Sequence, residues 1–253
     1  MCRALIVCVL ALTAACASRP ATPPPGAAQP DRFLFDRGNE AIKEEEWLNA
    51  RTYFQQIVDN YPQSPVRPDA KLGMGDSYLG QGNTESLVLA ANEFREFLTF
   101  YPTHPRADYA QYKMAMSHFE QMRAAGRDQT ETAAALKDFD VFFQRYPNSP
   151  LMPEVKMNWR IARDRLSESS FLVGMTYYRQ RWDPGAIERF REVLRDDPGY
   201  SARDRVYFHL AEALNRSGKP AEALPYYQRL LDEFKESEFL EDATDRLQAL
   251  KTQ

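Results

Sequence analysis

The sequence predicts an all-α fold, a solenoid of about five antiparallel helix pairs in which one long helix joins the third pair to the fourth. Three observations carry this. An alanine, an aromatic residue four positions on and usually a proline eight positions later recur five times; three connecting turns are nearly identical; and the one break in the spacing equals a whole number of helical turns. With 43% apolar and 27% charged residues, the chain can bury a sizeable core and is not a disordered one.

The chain opens on an export signal. One positive charge within residues 1–3, an apolar run over 4–13 and the small residues Ala14 and Ala15 make up a short secretory signal peptide, residues 1–15. An apolar stretch of about ten residues is half of what a membrane-spanning helix needs. Thr13-Ala14-Ala15-Cys16 resembles the lipobox of bacterial lipoproteins, which implies that Cys16 is lipidated, becomes the new amino terminus and anchors the chain to a membrane. Thr13 stands where that pattern usually has leucine, and the residues alone also fit a plain signal peptide cleaved near Ala15. By the same resemblance, Ala17 after the cysteine implies delivery to the outer membrane. Residues 16–30 then form a lipidated, proline-rich tether, because five prolines and almost no bulky apolar groups cannot make a core.

From Asp31 onward the repeat takes over. It reads Ala50, Phe54, Pro62; Ala90, Phe94, Pro102; Ala135, Phe139, Pro147; Ala186, Phe190, Pro198; and Ala223, Tyr227, with Lys235 in place of the last proline. Positions four apart share a helix face, so the small residue admits a neighbouring helix and the aromatic fills the space beside it. Proline then ends the helix. This is helix B of a two-helix unit. Upstream of each lies a helix A with a small residue at its middle: Gly38, Gly75, Ala115, Gly174 and Ala211. Gly174, Tyr177, Ala186, Phe190 and Pro198 fall at the offsets of the tetratricopeptide consensus, as do Tyr207, Leu210, Ala211, Ala223 and Tyr227. The turns Tyr61-Pro62-Gln63-Ser64-Pro65, Tyr101-Pro102-Thr103-His104-Pro105 and Tyr146-Pro147-Asn148-Ser149-Pro150 force the chain out of helix, with a polar side chain to satisfy backbone groups. His104 belongs to this turn chemistry.

From turn proline to the middle of the next helix A the count is 13 residues at three junctions, but 27 between Pro147 and Gly174. The extra 14 residues amount to about four helical turns. A pattern of Val155, Trp159, Ala162 and Leu166 therefore continues in register into Phe171 and Gly174, predicting one helix from about residue 153 to residue 180. It divides the folded part into a block of three repeats, 31–151, and a block of the long helix with two repeats, 152–253. A polar stretch over 124–132 lengthens the loop inside the third repeat.

Several function classes are excluded. A net charge of −4 with arginines mixed among acids gives no basic stripe for nucleic acid. All three cysteines lie within the first sixteen residues, and His104, His118 and His209 do not pair at ligand spacing, so neither a metal nor another cofactor is expected. No nucleophile and base pair or phosphate-binding glycine loop points to an enzyme. Trp47, Trp159 and Trp182 read as packing residues.

The order of these features is informative. A lipobox, a short tether, five repeats, the segment Tyr101-Pro102-Thr103-His104-Pro105 leading into Asp108-Tyr109 and Tyr112, a loop with Arg127-Asp128, and Arg163-Asp164-Arg165-Leu166 before Tyr177-Tyr178 resemble the BamD family of outer membrane assembly lipoproteins over about residues 31–253. The resemblance implies a scaffold on the periplasmic face of the outer membrane. It would bind a BamA-like barrel-bearing subunit through its carboxy-terminal repeats and receive unfolded outer membrane protein precursors. On that basis the concave face of repeats one to three, counted from the helix A midpoints, offers Phe35, Asn39, Ile42, Asp76, Leu79, Tyr112, Met116 and Phe119 as precursor-binding residues. Arg189 matches an arginine at the family's partner contact. Each of these side chains has a plainer reading as inter-repeat packing or a solvated charge. A periplasmic adaptor of the Tol-Pal type, which shares the Tyr-Pro-Asn-Ser-Pro turn, is the alternative, although that family usually carries an amino-terminal coiled coil where this chain has a tether.

Overall fold

A computed structural model describes residues 22–26 and 28–251. Residues 1–15, expected to be a signal peptide, and Cys16, expected to be lipidated, lie outside the described residues. Within them are eleven α-helices and no strand: α1 (Pro30–Lys43), α2 (Trp47–Asn60), α3 (Arg67–Gln81), α4 (Thr84–Phe100), α5 (Ala107–Phe119), α6 (Thr130–Arg145), α7 (Met152–Arg179), α8 (Asp183–Asp196), α9 (Arg203–Arg216), α10 (Pro220–Glu233) and α11 (Leu240–Lys251). Helices adjacent in sequence pack on each other, and α1, α3, α5, α7 and α9 also touch in succession along one inner face. This is the tetratricopeptide-type solenoid, five helix pairs with a long helix between the third and the fourth. No helix among the described residues is long and apolar enough to cross a membrane.

The small residue of helix A and the aromatic of helix B meet within each repeat. A Cβ on Gly38 would stand 2.5 Å from Phe54, one on Gly75 2.6 Å from Phe94, and one on Gly174 2.6 Å from Phe190. Gly73, in the following repeat, closes on the other side of Phe54 at 2.5 Å, so that ring is held between two helices that lack side chains there. Burying an aromatic in this way supplies much of the apolar area a two-helix unit needs. It also explains why the unit cannot stand alone: one wall of the Phe54 site belongs to its neighbour.

Turn chemistry fixes the stacking. Ser64, Ser149 and Ser237 each donate a hydroxyl hydrogen bond to an aspartate at the start of the preceding helix A, Asp31 at 2.6 Å, Asp108 at 2.6 Å and Asp204 at 2.7 Å. The same hydroxyls accept from the backbone N–H two residues on, Val66, Leu151 and Phe239. In the second turn His104 replaces serine: its Nδ1 accepts from the Arg106 N–H at 3.2 Å, and the waiting Asp69 takes the Arg106 guanidinium at 3.1 Å instead. Between helices A and B the chain turns through a left-handed residue, a glycine at Gly82 and Gly218 but Glu45 and Arg181 in the first and fourth repeats.

The 28-residue α7 serves two cores. Val155 and Ala162 bury with Phe139 and Phe142 of α6, whereas Phe171 and Met175 bury with Phe190, Tyr207 and Tyr227. The middle of α7 grips the turn after α8. Arg160 and Ser167 hydrogen-bond the buried Asp197 carboxylate, Asp164 accepts from the Ser201 amide at 3.0 Å, and Glu168 accepts from the Tyr200 hydroxyl. Burial alone would raise the Asp197 pKa; the bonds from Arg160 and Ser167 outweigh it and hold the carboxyl below the usual range. The third repeat has the expected longer loop, but over residues 120–129: of the polar stretch 124–132, the last three residues, 130–132, already form the first turn of α6. Helix α11 lies outside the five helix pairs, and its Ala243 and Leu247 complete the last core.

Candidate protein-binding surfaces

Along the inner face, α1 presents Phe35, Asn39 and Ile42, all half-buried; Phe35 and Ile42 pack against the first core, with the Phe35 ring 5.9 Å from Phe54. Asn39 and Ile42 border an open depression edged by Asp36, Glu40, Lys43 and Glu44. On α3, Leu79 packs against the second core and Asp76 accepts a 2.8 Å hydrogen bond from the Tyr109 hydroxyl of α5. Burial pushes the Asp76 carboxyl up, with the Tyr109 bond opposing, and burial beside Asp76 pushes the Tyr109 phenol up as well.

On α5, Met116 and Phe119 are half-buried, and the Phe119 ring meets Phe139 edge-on at 6.3 Å. Tyr112 departs from the expectation of an open groove residue. It is 3% exposed, with its hydroxyl donating to Glu154 at 2.6 Å and accepting from Asn158 at 2.9 Å. A tyrosine in that position ties α5 to α7 and does not reach a ligand; its offset from Ala115 placed it on the inner side of the helix but could not show that α7 covers it. Seven of the eight residues are half-buried, Tyr112 is buried, and the rim beside α1 is largely acidic.

The second surface is built where α7 meets α8. Arg189 is exposed and pairs with Glu192 at 2.8 Å. Its Cβ lies 3.3 Å from where a Gly174 Cβ would stand, so the guanidinium rides on the seam between the two helices. The tryptophans divide. The Trp47 ring packs where Gly80 lacks a Cβ, and Trp159 packs against Phe143 while its indole N–H donates to Asp140 at 3.0 Å. Trp182, expected to be packed, is instead 53% exposed beside Arg189's helix. Its place at the mouth of an A–B turn, where the other repeats have polar residues, was the signal in the sequence that could have marked it.

A third feature is half-buried and lies at neither surface. His209 on α9 sits among Phe171, Tyr178, Phe190, Phe208 and Phe239, its Nδ1 lacking a hydrogen-bond partner among the described residues. Burial lowers its pKa to about 4, so the ring is neutral at ordinary pH. No group of His, Cys, Asp or Glu side chains among the described residues could hold a metal ion.

Comparison with known proteins bears on what these surfaces serve. The family model described as YfiO, outer membrane lipoprotein, matches residues 27–224. Among curated relatives, the outer membrane protein assembly factor BamD of Caulobacter vibrioides is 28% identical over 77% of this chain and 63% of its own length. The chain therefore spans somewhat less than two thirds of that relative. The BamD of Vibrio cholerae is 25% identical over 83% of the chain and 88% of its own length, and that of Helicobacter pylori 22% identical over 72% and 74%. Similar solved structures include a MamA protein, 16% identical with a TM-score of 0.37 over 81% of this chain and 92% of that one. A thermophilic tetratricopeptide protein of Thermus thermophilus is 14% identical with a TM-score of 0.37 over 88% and 100%. Both likenesses are loose. With the family model covering most of the folded residues and curated relatives agreeing with it, the chain belongs to the YfiO/BamD family of outer membrane lipoproteins.

Proposed function

We propose that this protein is an assembly factor for outer membrane proteins, a scaffold that catalyses nothing and works by holding other polypeptides. The observation that supports this most strongly is the family match over residues 27–224, with relatives that carry the name outer membrane protein assembly factor. In this reading Cys16 carries the lipid that holds the chain to the periplasmic face of the outer membrane. Repeats four and five, with Arg189 at the seam of α7 and α8, bind a BamA-like barrel-bearing subunit. A guanidinium suits that role because its planar fork can bond a carboxylate through two N–H groups at once.

The inner face of repeats one to three receives unfolded outer membrane protein precursors. Half-buried Phe35, Ile42, Leu79, Met116 and Phe119 offer apolar edges, and Asn39 with the rim of α1 offers polar groups, a mixture that suits an extended peptide. Tyr112 contributes by fixing α5 against α7. Blocks 31–151 and 152–253 divide the labour between precursor and partner.

Affinity capture of the full chain from detergent-solubilised membranes tests the proposal. Recovery of a barrel-bearing assembly subunit is expected; recovery of only Tol-Pal or cell-wall proteins would reject it in favour of an envelope adaptor.

A further inference from the structure

The A–B turn of the fourth repeat carries a side chain that the fold does not require. Trp182 immediately precedes α8, and its amide donates to the carbonyl of Tyr177 just as Glu46 and Lys219, at the equivalent places of repeats one and five, donate to Ala41 and Leu214. A polar residue fulfils that backbone role without leaving an indole half in water. Nor is the indole loosely held. Tyr177 meets it edge-on at 4.7 Å and 87°, and Gly185 in the first turn of α8 leaves room for it, since a Cβ there would stand 2.5 Å from the ring. Glycine within a helix and an apolar ring in solvent both run against local stability. Together they form a rigid, preorganised aromatic step.

Charges of both signs stand around it. Arg179 and Arg181 are exposed and form no ion pair among the described residues, whereas Arg216 is tied to Asp183 and Arg191 to Glu222. Arg181 adjoins Trp182 in the chain, Arg189 lies one helical turn beyond Gly185, and exposed Val173 lies one turn before Tyr177. Glu188, also exposed, Glu192, the partner of Arg189, and Asp183, the partner of Arg216, are the carboxylates on that stretch of α8.

We infer that Trp182 is the anchor of the partner surface that Arg189 borders, and that it enters an apolar pocket rimmed by carboxylates on a folded protein. This rests on the reading that repeats four and five hold the barrel-bearing subunit. Tryptophan, tyrosine and arginine carry most of the energy of protein interfaces when they are held rigid and desolvated together. Arg181, exposed and without an ion pair among the described residues, calls for acidic groups on the other side. Tryptophan and arginine also suit an anionic bilayer, but Glu188 and Glu192 would face its phosphates, and the indole lies in a seam between helices.

The test is a titration of the purified full chain with the purified barrel-bearing subunit in detergent. Trp182→Ala is expected to weaken binding about thirty-fold or more, the effect of losing an interface hot spot. Trp182→Phe should retain most of the affinity, and Gly185→Leu, which keeps the indole but displaces it, should weaken binding without abolishing the helical signal. Melting temperature and helix content of Trp182→Ala should match the parent, because the ring lies outside the buried cores. Parental binding that Trp182→Ala leaves unchanged overturns the anchor alone. Failure of the parent chain itself to bind the subunit sinks the reading of repeats four and five, and the inference with it. Sedimentation with phosphatidylethanolamine and phosphatidylglycerol vesicles should show no dependence on Trp182; a dependence would assign the indole to the membrane and overturn the inference.

Discussion

Repeats one to three leave helix B through Tyr61-Pro62, Tyr101-Pro102 and Tyr146-Pro147, whereas the fourth leaves through Asp197-Pro198. In the first group the tyrosine folds back on its own core, Tyr101 on Phe97 at 5.3 Å and Tyr146 on Phe142 at 5.5 Å. In the fourth repeat a buried aspartate takes that place, held by Arg160 and Ser167 from α7. The backbone turn is the same in every case, closed by the bond from Ser64, His104, Ser149, Tyr200 or Ser237 to the carbonyl three residues earlier. The same turn can thus be locked by apolar packing or by ionic bonds, and the choice follows from what the neighbouring helix supplies. Four additional helical turns on α7 bring arginines alongside the fourth turn, and the residue there is one that can use them.

The sharpest way to break this contrast is Asp197→Asn. Removing one partner of a buried ion pair strands the other, and we expect a loss of about 3 kcal/mol in denaturant unfolding at neutral pH. Because the Asp197 pKa is lowered on folding, its contribution is present above the ordinary carboxylate value of 3.8 and is lost as the pH falls through the depressed one. The difference between variant and parent should therefore shrink below about pH 4; a constant difference down to pH 2 would show that the charge is not what holds the turn.

On the apolar side, Gly73→Val should cost about 2 kcal/mol, the expense of overpacking a ring that Gly38 prevents from retreating. Its effect on stability should not depend on pH between 4 and 7, and a marked dependence would blur the distinction between the two modes.

A smaller effect concerns His209, neutral in its aromatic surroundings. Its pKa is lowered from 6.5 to about 4, so the unfolded chain gains a proton before the folded one does, and stability should decline as the pH falls from 6.5 toward 4. His209→Phe should flatten that part of the stability profile; an unaltered slope would place the titration elsewhere. Smallest of all, Arg181→Gly and Glu45→Gly should each stabilise by about 0.5 kcal/mol, since both residues hold a left-handed backbone that Gly82 and Gly218 adopt without strain. Melting curves that fall instead would show that side-chain contacts at those turns matter more than the backbone.

Much of this architecture was legible in the sequence because the physics behind it is local and periodic. Gly38 and Phe54, or Gly174 and Phe190, announce a close helix pair through spacing alone, and the 14 extra residues before Gly174 announce a continuous α7. Burial across repeats was not legible in the same way. Nothing within α5 shows that Glu154 and Asn158 of α7 will close over Tyr112, and nothing within α8 shows that Gly185 will seat an indole. Asp197 was equally hidden, since the arginines that hold it lie about ten helical turns earlier in the chain.

Hydrogen exchange of the full chain, with and without the barrel-bearing subunit, tests the division of labour most directly. The account predicts that the subunit slows exchange over residues 173–192, at the end of α7 and along α8, while α1, α3 and α5 exchange as in the free protein. Protection confined to α1, α3 and α5 would contradict it.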